Sequence, residues 1–285
     1  MVSTVYLSGG FGNQLHQLSV ALGLAQGNEV KLSTVLLPDS SRALEIQDMV
    51  ANTELAITSD LCPCEKKIYP LRLASIDFTL PPCCILSYPE DSAWLAHRID
   101  PRKFHKLIAN MLIKNGNLEL KQEIVIHFRL GDYLWPRALF QNGVLSKKYY
   151  EKSLQLLDIA YPVIGLTDDP VALGKIYGNE IANRSIVSIE KGTVQSDFLR
   201  MINAKYLISG NSTLSLWALW FRENMTPIES KNFVSIGPSS IYRRKTASFL
   251  AGIGREEPIF WNPILLLIKF PFAFCRRLKW RGRFW

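Results

Sequence analysis

Short β-branched apolar runs alternate along the chain with segments whose apolar positions recur every three or four residues. Residues 2–7 (VSTVYL) form the first run, and 14–25 place Leu15, Leu18, Leu22 and Ala25 at helical spacing. Strand-like runs follow at 30–37 and 55–58, with a helix between them. Residues 62–89 mix Pro, Cys and short apolar stretches and give no assignment. The spacing predicts a helix over 101–114, opened near Pro101 and closed at Asn115-Gly116. The pattern then restarts, with strands at 123–127, 162–166, 185–189 and 206–209. Helices fall between them at 146–160, 170–177, 195–203 and 213–222, with Ser146 as an N-cap. Such alternation predicts an α/β fold, a parallel sheet with helices on its faces. The polar segment NGNLELKQ (115–122) is the expected boundary between two α/β halves that face each other across a cleft. The domains are therefore 1–118, 119–255 and a tail over 256–285.

Charge changes the picture only at one end. The net charge of +8 includes Lys269, Arg276, Arg277, Lys279, Arg281 and Arg283, with no acid from Ile259 onward. The remainder carries +2, which is no basic stripe for nucleic acid. The tail joins a thirteen-residue apolar run, 263–275, to basic and aromatic residues. It is shorter than the roughly 20 residues a membrane span needs, so the expectation is a peripheral membrane anchor or a packed helix. The chain starts without a basic segment followed by an apolar one, so it is expected on the cytoplasmic side, peripheral on the inner face of the membrane. Five cysteines, in CPC and CC pairs plus Cys275, lack zinc-knuckle spacing and fit reduced thiols.

Four loops at expected strand ends carry candidate chemistry, and in open α/β sheets ligands sit beyond the carboxyl ends of strands. In GGFGNQLHQ (9–17), Gly9, Gly10 and Gly12 let a ligand approach the backbone. The helix start beyond them suits an anion, and Asn13 and Gln14 add amides. In EIVIHFRLGDY (123–133), Arg129 offers a planar fork for phosphate oxygens and His127 a further donor. Asp132 can hold an arginine or accept a proton. In GLTDD (165–169), Asp168 and Asp169 can accept from a ribose hydroxyl or a guanine edge, or else cap the helix at Pro170. In ISGNSTLSLWALWF (208–221), Asn211, Ser212, Thr213 and Ser215 gather at a helix start, a second phosphate cradle. Trp217, Leu219 and Trp220 read as core or cleft wall.

Taken in order, these four stretches resemble the motifs of the α1,2-fucosyltransferases, approximately G-G-x-G-N-Q-M/L-F-Q, H-x-R-R-G-D-Y, S-D-D and N-S-S/T-F-S-W-W-x-A-W. The resemblance runs from Gly9 to about Phe221, and Asp197 stands where that family usually has an acid. It implies two Rossmann-like domains of GT-B type and inversion at the anomeric carbon. GDP-fucose would be the donor substrate, with no cofactor and no metal required. His16, Leu130, Leu214 and Leu216 depart from the motifs. The resemblance further implies an L-fucose transfer to a galactose-type hydroxyl in α1,2 linkage, on a glycan such as a cell-surface polysaccharide precursor. In that reading Arg129, Asn13 and Asp132 are the catalytic candidates. His127, Arg129, Asp168, Asp169, Asn211, Ser212, Thr213 and Ser215 hold the nucleotide. Gly10, Gly12, Asn13 and Gln14 face the acceptor, an oligosaccharide or lipid-linked glycan. The alternatives are transfer of another GDP-deoxysugar, or a non-catalytic binding partner in polysaccharide assembly.

Overall fold

A computed structural model of the 285-residue chain describes residues 2–25, 29–38, 43–61, 67–68, 84–85, 104, 106–110, 120–135, 143–157, 160–223 and 233–238. The tail, most of 62–89 and the boundary residues 111–119 lie outside them. Strands β1 (Ser3–Tyr6), β2 (Val30–Ser33), β3 (Ala56–Thr58), β4 (Lys67–Ile68) and β5 (Cys84–Ile85) form a parallel sheet in the order β3-β2-β1-β5-β4. Helix α1 (Phe11–Leu24) follows β1, and α2 (Gln47–Val50) is a single turn where a full helix was expected.

The second sheet has the order β11-β10-β6-β7-β9-β8. It comprises β6 (Lys121–Phe128), β7 (Val163–Thr167), β8 (Glu180–Ile181), β9 (Arg184–Glu190), β10 (Ala204–Ile208) and β11 (Val234–Ile236). All neighbours run parallel except β8 with β9. Helices α3 (Lys147–Gln155), α4 (Pro170–Ile176), α5 (Val194–Asn203) and α6 (Thr213–Glu223) connect them. The expected α/β alternation is therefore present in both halves. Two strands of the second sheet were missed, besides β4 and β5 in the unassigned segment. The hairpin from β8 to β9 turns through Ala182 and Asn183, both at positive φ (51° and 59°), without the Asn-Gly pair that signals such a turn. Strand β11 is only three residues long.

Strand β6 is central because its β-branched run is apolar to both faces. Ile124, Ile126 and Phe128 pack with Tyr149, Tyr150 and Tyr177 on one side. Val125 points to the other side, into a core shared by both sheets through α1, α5 and α6. There Phe11 meets Phe198 edge-on at 5.5 Å, and Phe104 tilts against Trp217 at 5.0 Å. Trp217 and Trp220 are thus core residues rather than cleft wall. His16, the residue departing from an aromatic motif position, is buried and lies tilted against Trp217 at 5.1 Å, so it fills an aromatic slot. Leu216 is likewise buried in this core.

Arg222, unremarkable in sequence, is 2 % exposed and gathers five carbonyls around its guanidinium. It donates to Met201, Ile202 and Ala204 at the end of α5, and to Lys205 and Val234 on β10 and β11. A cation there meets the negative end of the α5 dipole. Burial still pushes its pKa down to about 9.

Candidate active site

The carboxyl ends of β6, β7 and β10 bring three of the four sequence-selected loops together. Arg129 follows β6, Asp168 follows β7, and Gly210 to Ser212 follow β10. A Cβ on Gly210 would stand 2.9 Å from the His127 carbonyl oxygen and 3.6 Å from the Arg129 amide, so the β10 loop passes against the β6 loop. Ser212 caps α6, its Oγ accepting from the Ser215 amide at 3.1 Å.

The fourth loop arrives from the other half. Helix α1 starts at Phe11, with Gly10 as its N-cap, so Gly12 and Asn13 lie in its first turn, with Gln14, rather than in the expected loop. Gly12 abuts the start of α6. A Cβ there would be 2.5 Å from the Leu214 amide nitrogen and 2.6 Å from the Thr213 carbonyl carbon. Two helix N-termini, one from each half, therefore meet next to the β10 loop, and both are positive ends.

Arg129 is partnered on both arms. One Nη donates to Asp168 Oδ2 at 2.5 Å and the other to Asp132 Oδ1 at 2.6 Å. Tyr133 lies under the guanidinium, 5.1 Å from its centre. The second oxygen of Asp168 accepts from the Leu130 amide at 2.9 Å. His127 is buried, with Nδ1 2.6 Å from Ser215 Oγ. Desolvation, followed by the charge of Arg129, lowers its pKa to about 4 despite the opposing effect of Asp168. At neutral pH it is an uncharged imidazole that can donate one N–H.

Several sequence expectations need correction. Gln14 was expected to face an acceptor, but it is fully buried. Its amide donates to the Gly9 and Ala43 carbonyls at 2.9 and 2.8 Å and accepts from the Glu45 amide at 2.8 Å. It ties α1 to the 43–45 segment. Asp169 is the N-cap of α4, accepting from the Ala172 amide, so the capping alternative holds for it. Asp168, expected on ribose or base, is engaged by Arg129 and Leu130. Ser215 is fully buried behind His127, and the Asn211 amide donates to the Gly143 carbonyl at 3.1 Å. Thr213, Asn13 and Gly10 remain partly exposed at the junction of the two helices.

Asp197 sits in the first turn of α5 and accepts from the Gly192 amide at 3.1 Å. Burial raises its pKa to about 6, with Glu190 and Asp168 adding to the rise. A clustered acid beside the crevice was visible in sequence only through its motif position. Among the described residues no three His, Cys, Asp or Glu side chains gather as a metal site. The cysteine pairs lie outside those residues or are described by backbone alone.

The fold and site together define an α/β protein with an arginine and paired helix ends at the sheet's carboxyl edge, an arrangement suited to an anionic ligand. No protein-family profile matches the chain. It is 35 % identical over 122 residues to an α-1,2-colitosyltransferase of Escherichia coli, a match covering 38 % of this chain and 42 % of that protein. The match thus spans about two-fifths of the length of the curated relative. Among solved structures, POFUT1 in complex with GDP overlaps at a TM-score of 0.41 and 11 % identity, over 83 % of this chain and 97 % of that one. A bacterial iron-containing dodecameric glycosyltransferase, TibC of enterotoxigenic E. coli, overlaps at 0.41 and 13 % identity, over 92 % of this chain and 68 % of that one.

Proposed function

We propose that the chain is an inverting glycosyltransferase that moves a deoxysugar, L-fucose or a related sugar such as colitose, from a GDP donor to a galactose-type hydroxyl in α1,2 linkage. The observation that carries the reading is the close pass of the β10–α6 loop, at Gly210, against the backbone of the Arg129 loop, with the α6 N-terminus packed on the α1 N-terminus at Gly12. The partial identity to a colitosyltransferase supports the α1,2 linkage and adds colitose to fucose as a donor candidate.

In this mechanism the anomeric C–O bond breaks with its electron pair going to the β-phosphate oxygen. The acceptor hydroxyl forms the new bond on the opposite face of the sugar ring and passes its proton to water. Stabilising the diphosphate that leaves is the largest demand on the protein. Arg129 and the α6 amides meet it electrostatically, and His127 contributes a neutral donor rather than a second cation. Asn13, in the first turn of α1, is placed to contact acceptor or diphosphate from the other half.

The test is release of GDP from GDP-fucose and GDP-colitose with galactose-terminated acceptors. Arg129→Ala should abolish transfer and weaken GDP binding by roughly 1.5–3 kcal/mol, the contribution of a charged hydrogen-bonding partner. Turnover of neither donor by the wild type, or full activity in the variant, overturns the reading. The basic-aromatic tail, residues 256–285, supports a further part of the proposal, peripheral attachment to anionic membrane beside a lipid-linked acceptor. Among the described residues no helix is long and apolar enough to cross a membrane. Full-length protein should sediment with anionic vesicles, and deleting residues 259–285 should release it while sparing turnover on a water-soluble acceptor.

A further inference from the structure

We infer that Asp168 is the fixed anchor that positions Arg129, and that Asp132 is an exchangeable counter-ion whose place on the guanidinium a diphosphate takes. The inference rests on the proposed GDP-sugar site and assigns distinct roles to two carboxylates of the same formal charge.

The two partners of Arg129 are not held alike. Asp168 is bound at both oxygens, one to Arg129 and one to the Leu130 amide. It reaches that position under Gly131, where a Cβ would stand 2.9 Å from the Asp168 carboxyl carbon. Gly131 has no positive φ, so its need for glycine is steric: the missing side chain is the space the carboxylate occupies. Asp132 is three residues from Arg129 on the turn Gly131–Leu134, and its side chain is 42 % exposed against 29 % for Asp168. A carboxylate seated in a fitted space resists exchange, whereas a more exposed one gives way to a competing anion. The arm of Arg129 that faces Asp132 is therefore the arm offered to the ligand. Asp168 keeps the other arm fixed, so the fork is already oriented when the diphosphate arrives. This also explains why Asp168 is engaged with Arg129 rather than left available for ribose or guanine.

Calorimetric titrations with GDP, inorganic pyrophosphate and guanosine separate the roles. Asp168→Asn should weaken GDP and pyrophosphate about tenfold, the loss expected when one charged hydrogen-bonding partner is removed, and leave guanosine unchanged. Gly131→Ala, which alters no charge, should reproduce that pattern by displacing the carboxylate, with a raised donor KM exceeding any fall in kcat. Asp132→Asn should tighten pyrophosphate several-fold, because the competitor for the fork is gone. If Asp168→Asn instead weakens guanosine and spares pyrophosphate, Asp168 reads the nucleoside and the inference is wrong. If Asp132→Asn weakens pyrophosphate, the exchange is wrong. Should wild type bind neither GDP nor pyrophosphate, the nucleotide reading fails. The anchor is then judged on the ligand-free protein by hydrogen exchange of the Arg129 guanidinium, slow in wild type and fast in Asp168→Asn. Equal exchange rates in the two overturn it.

Discussion

Gly12→Ala tests the junction on which the site depends. Alanine is the better helix former by about 1 kcal/mol in a helix interior, so local propensity alone makes the variant more stable. The tertiary contact argues the other way. The new methyl would lie 2.5 Å from the Leu214 amide nitrogen, about 0.9 Å short of the 3.4 Å where ordinary contact begins. The Thr213 carbonyl carbon at 2.6 Å closes a second direction. Both neighbours are backbone, so relief requires α1 and α6 to separate by most of an ångström. Overpacking of this kind costs roughly 1–3 kcal/mol, which offsets the propensity gain and leaves a net loss of up to about 2 kcal/mol. The functional loss should be larger than the loss of stability. The α6 amides and Thr213 move with the helix, and a 1 Å misplacement can cost on the order of a hundredfold in rate. Gly174→Ala is the control, because a Cβ there meets nothing within 4 Å in the middle of α4. It should stabilise the protein by about 0.4–1 kcal/mol and leave GDP affinity alone. Urea denaturation and GDP titration of both variants decide the matter. A Gly12→Ala protein as stable as Gly174→Ala, with unaltered GDP affinity, refutes the close approach.

Arg222→Met should cost at least about 3 kcal/mol in urea denaturation, because several buried carbonyls each lose a donor. Arg222→Lys should recover only part of this. The pH dependence contains two opposed contributions. His127 has a folded pKa of about 4, below its unfolded 6.5, so it contributes stability that is lost as pH falls through that window, about 3 kcal/mol in all. Asp197, raised from 3.8 to about 6, contributes stability below that range and loses it as pH rises through 6. Asp197→Asn should therefore unmask a loss of stability from pH 7 to 4, abolished when His127→Gln is added; identical curves for the two proteins refute the assignment to His127. Transfer should survive dialysis against EDTA, since Arg129 and helix ends supply the positive charge; loss restored by manganese or magnesium refutes metal independence.

What could be read from the residues was local. The buried run Ile124–Val125–Ile126 predicts a central strand and therefore predicts that Arg129 emerges at its carboxyl end, which it does. Ser146 caps α3 as its position before the helix suggested, accepting from the Tyr149 amide. What escaped is tertiary. Three glycines in 9–12 announce a special backbone, but only the packing of α1 on α6 tells that Gly12 is the one in contact. Asp168 is thirty-nine residues from Arg129, and no periodicity connects a strand end to its neighbour's. Arg222 lies in the last turn of α6, where a solvated cation is the ordinary expectation, and its carbonyl partners come from α5, β10 and β11. Gln14 offered an amide beside a glycine turn, and its partners at 43–45 are equally non-local.

The electrostatics of the site follow from the same geometry. A cradle for a diphosphate that held only Arg129 and two helix ends would concentrate positive charge in a partly buried place without a ligand. Each helix N-terminus counts as about half a positive charge. Two of them with Arg129 are balanced by Asp132 and Asp168, and His127 adds nothing because burial and the neighbouring guanidinium keep it neutral. These five groups therefore sum close to neutral. Replacing Asp132 by a diphosphate keeps one carboxylate on Arg129 and brings the larger anionic charge to the helix ends. A monophosphate would bring less charge and span fewer of the donors, so displacement of Asp132 discriminates by length and charge of the anion. In the proposed reaction that preference favours the GDP donor and retains GDP after transfer. Release of GDP then needs Asp132 to return to the fork, which gives its exposed carboxylate a part in turnover.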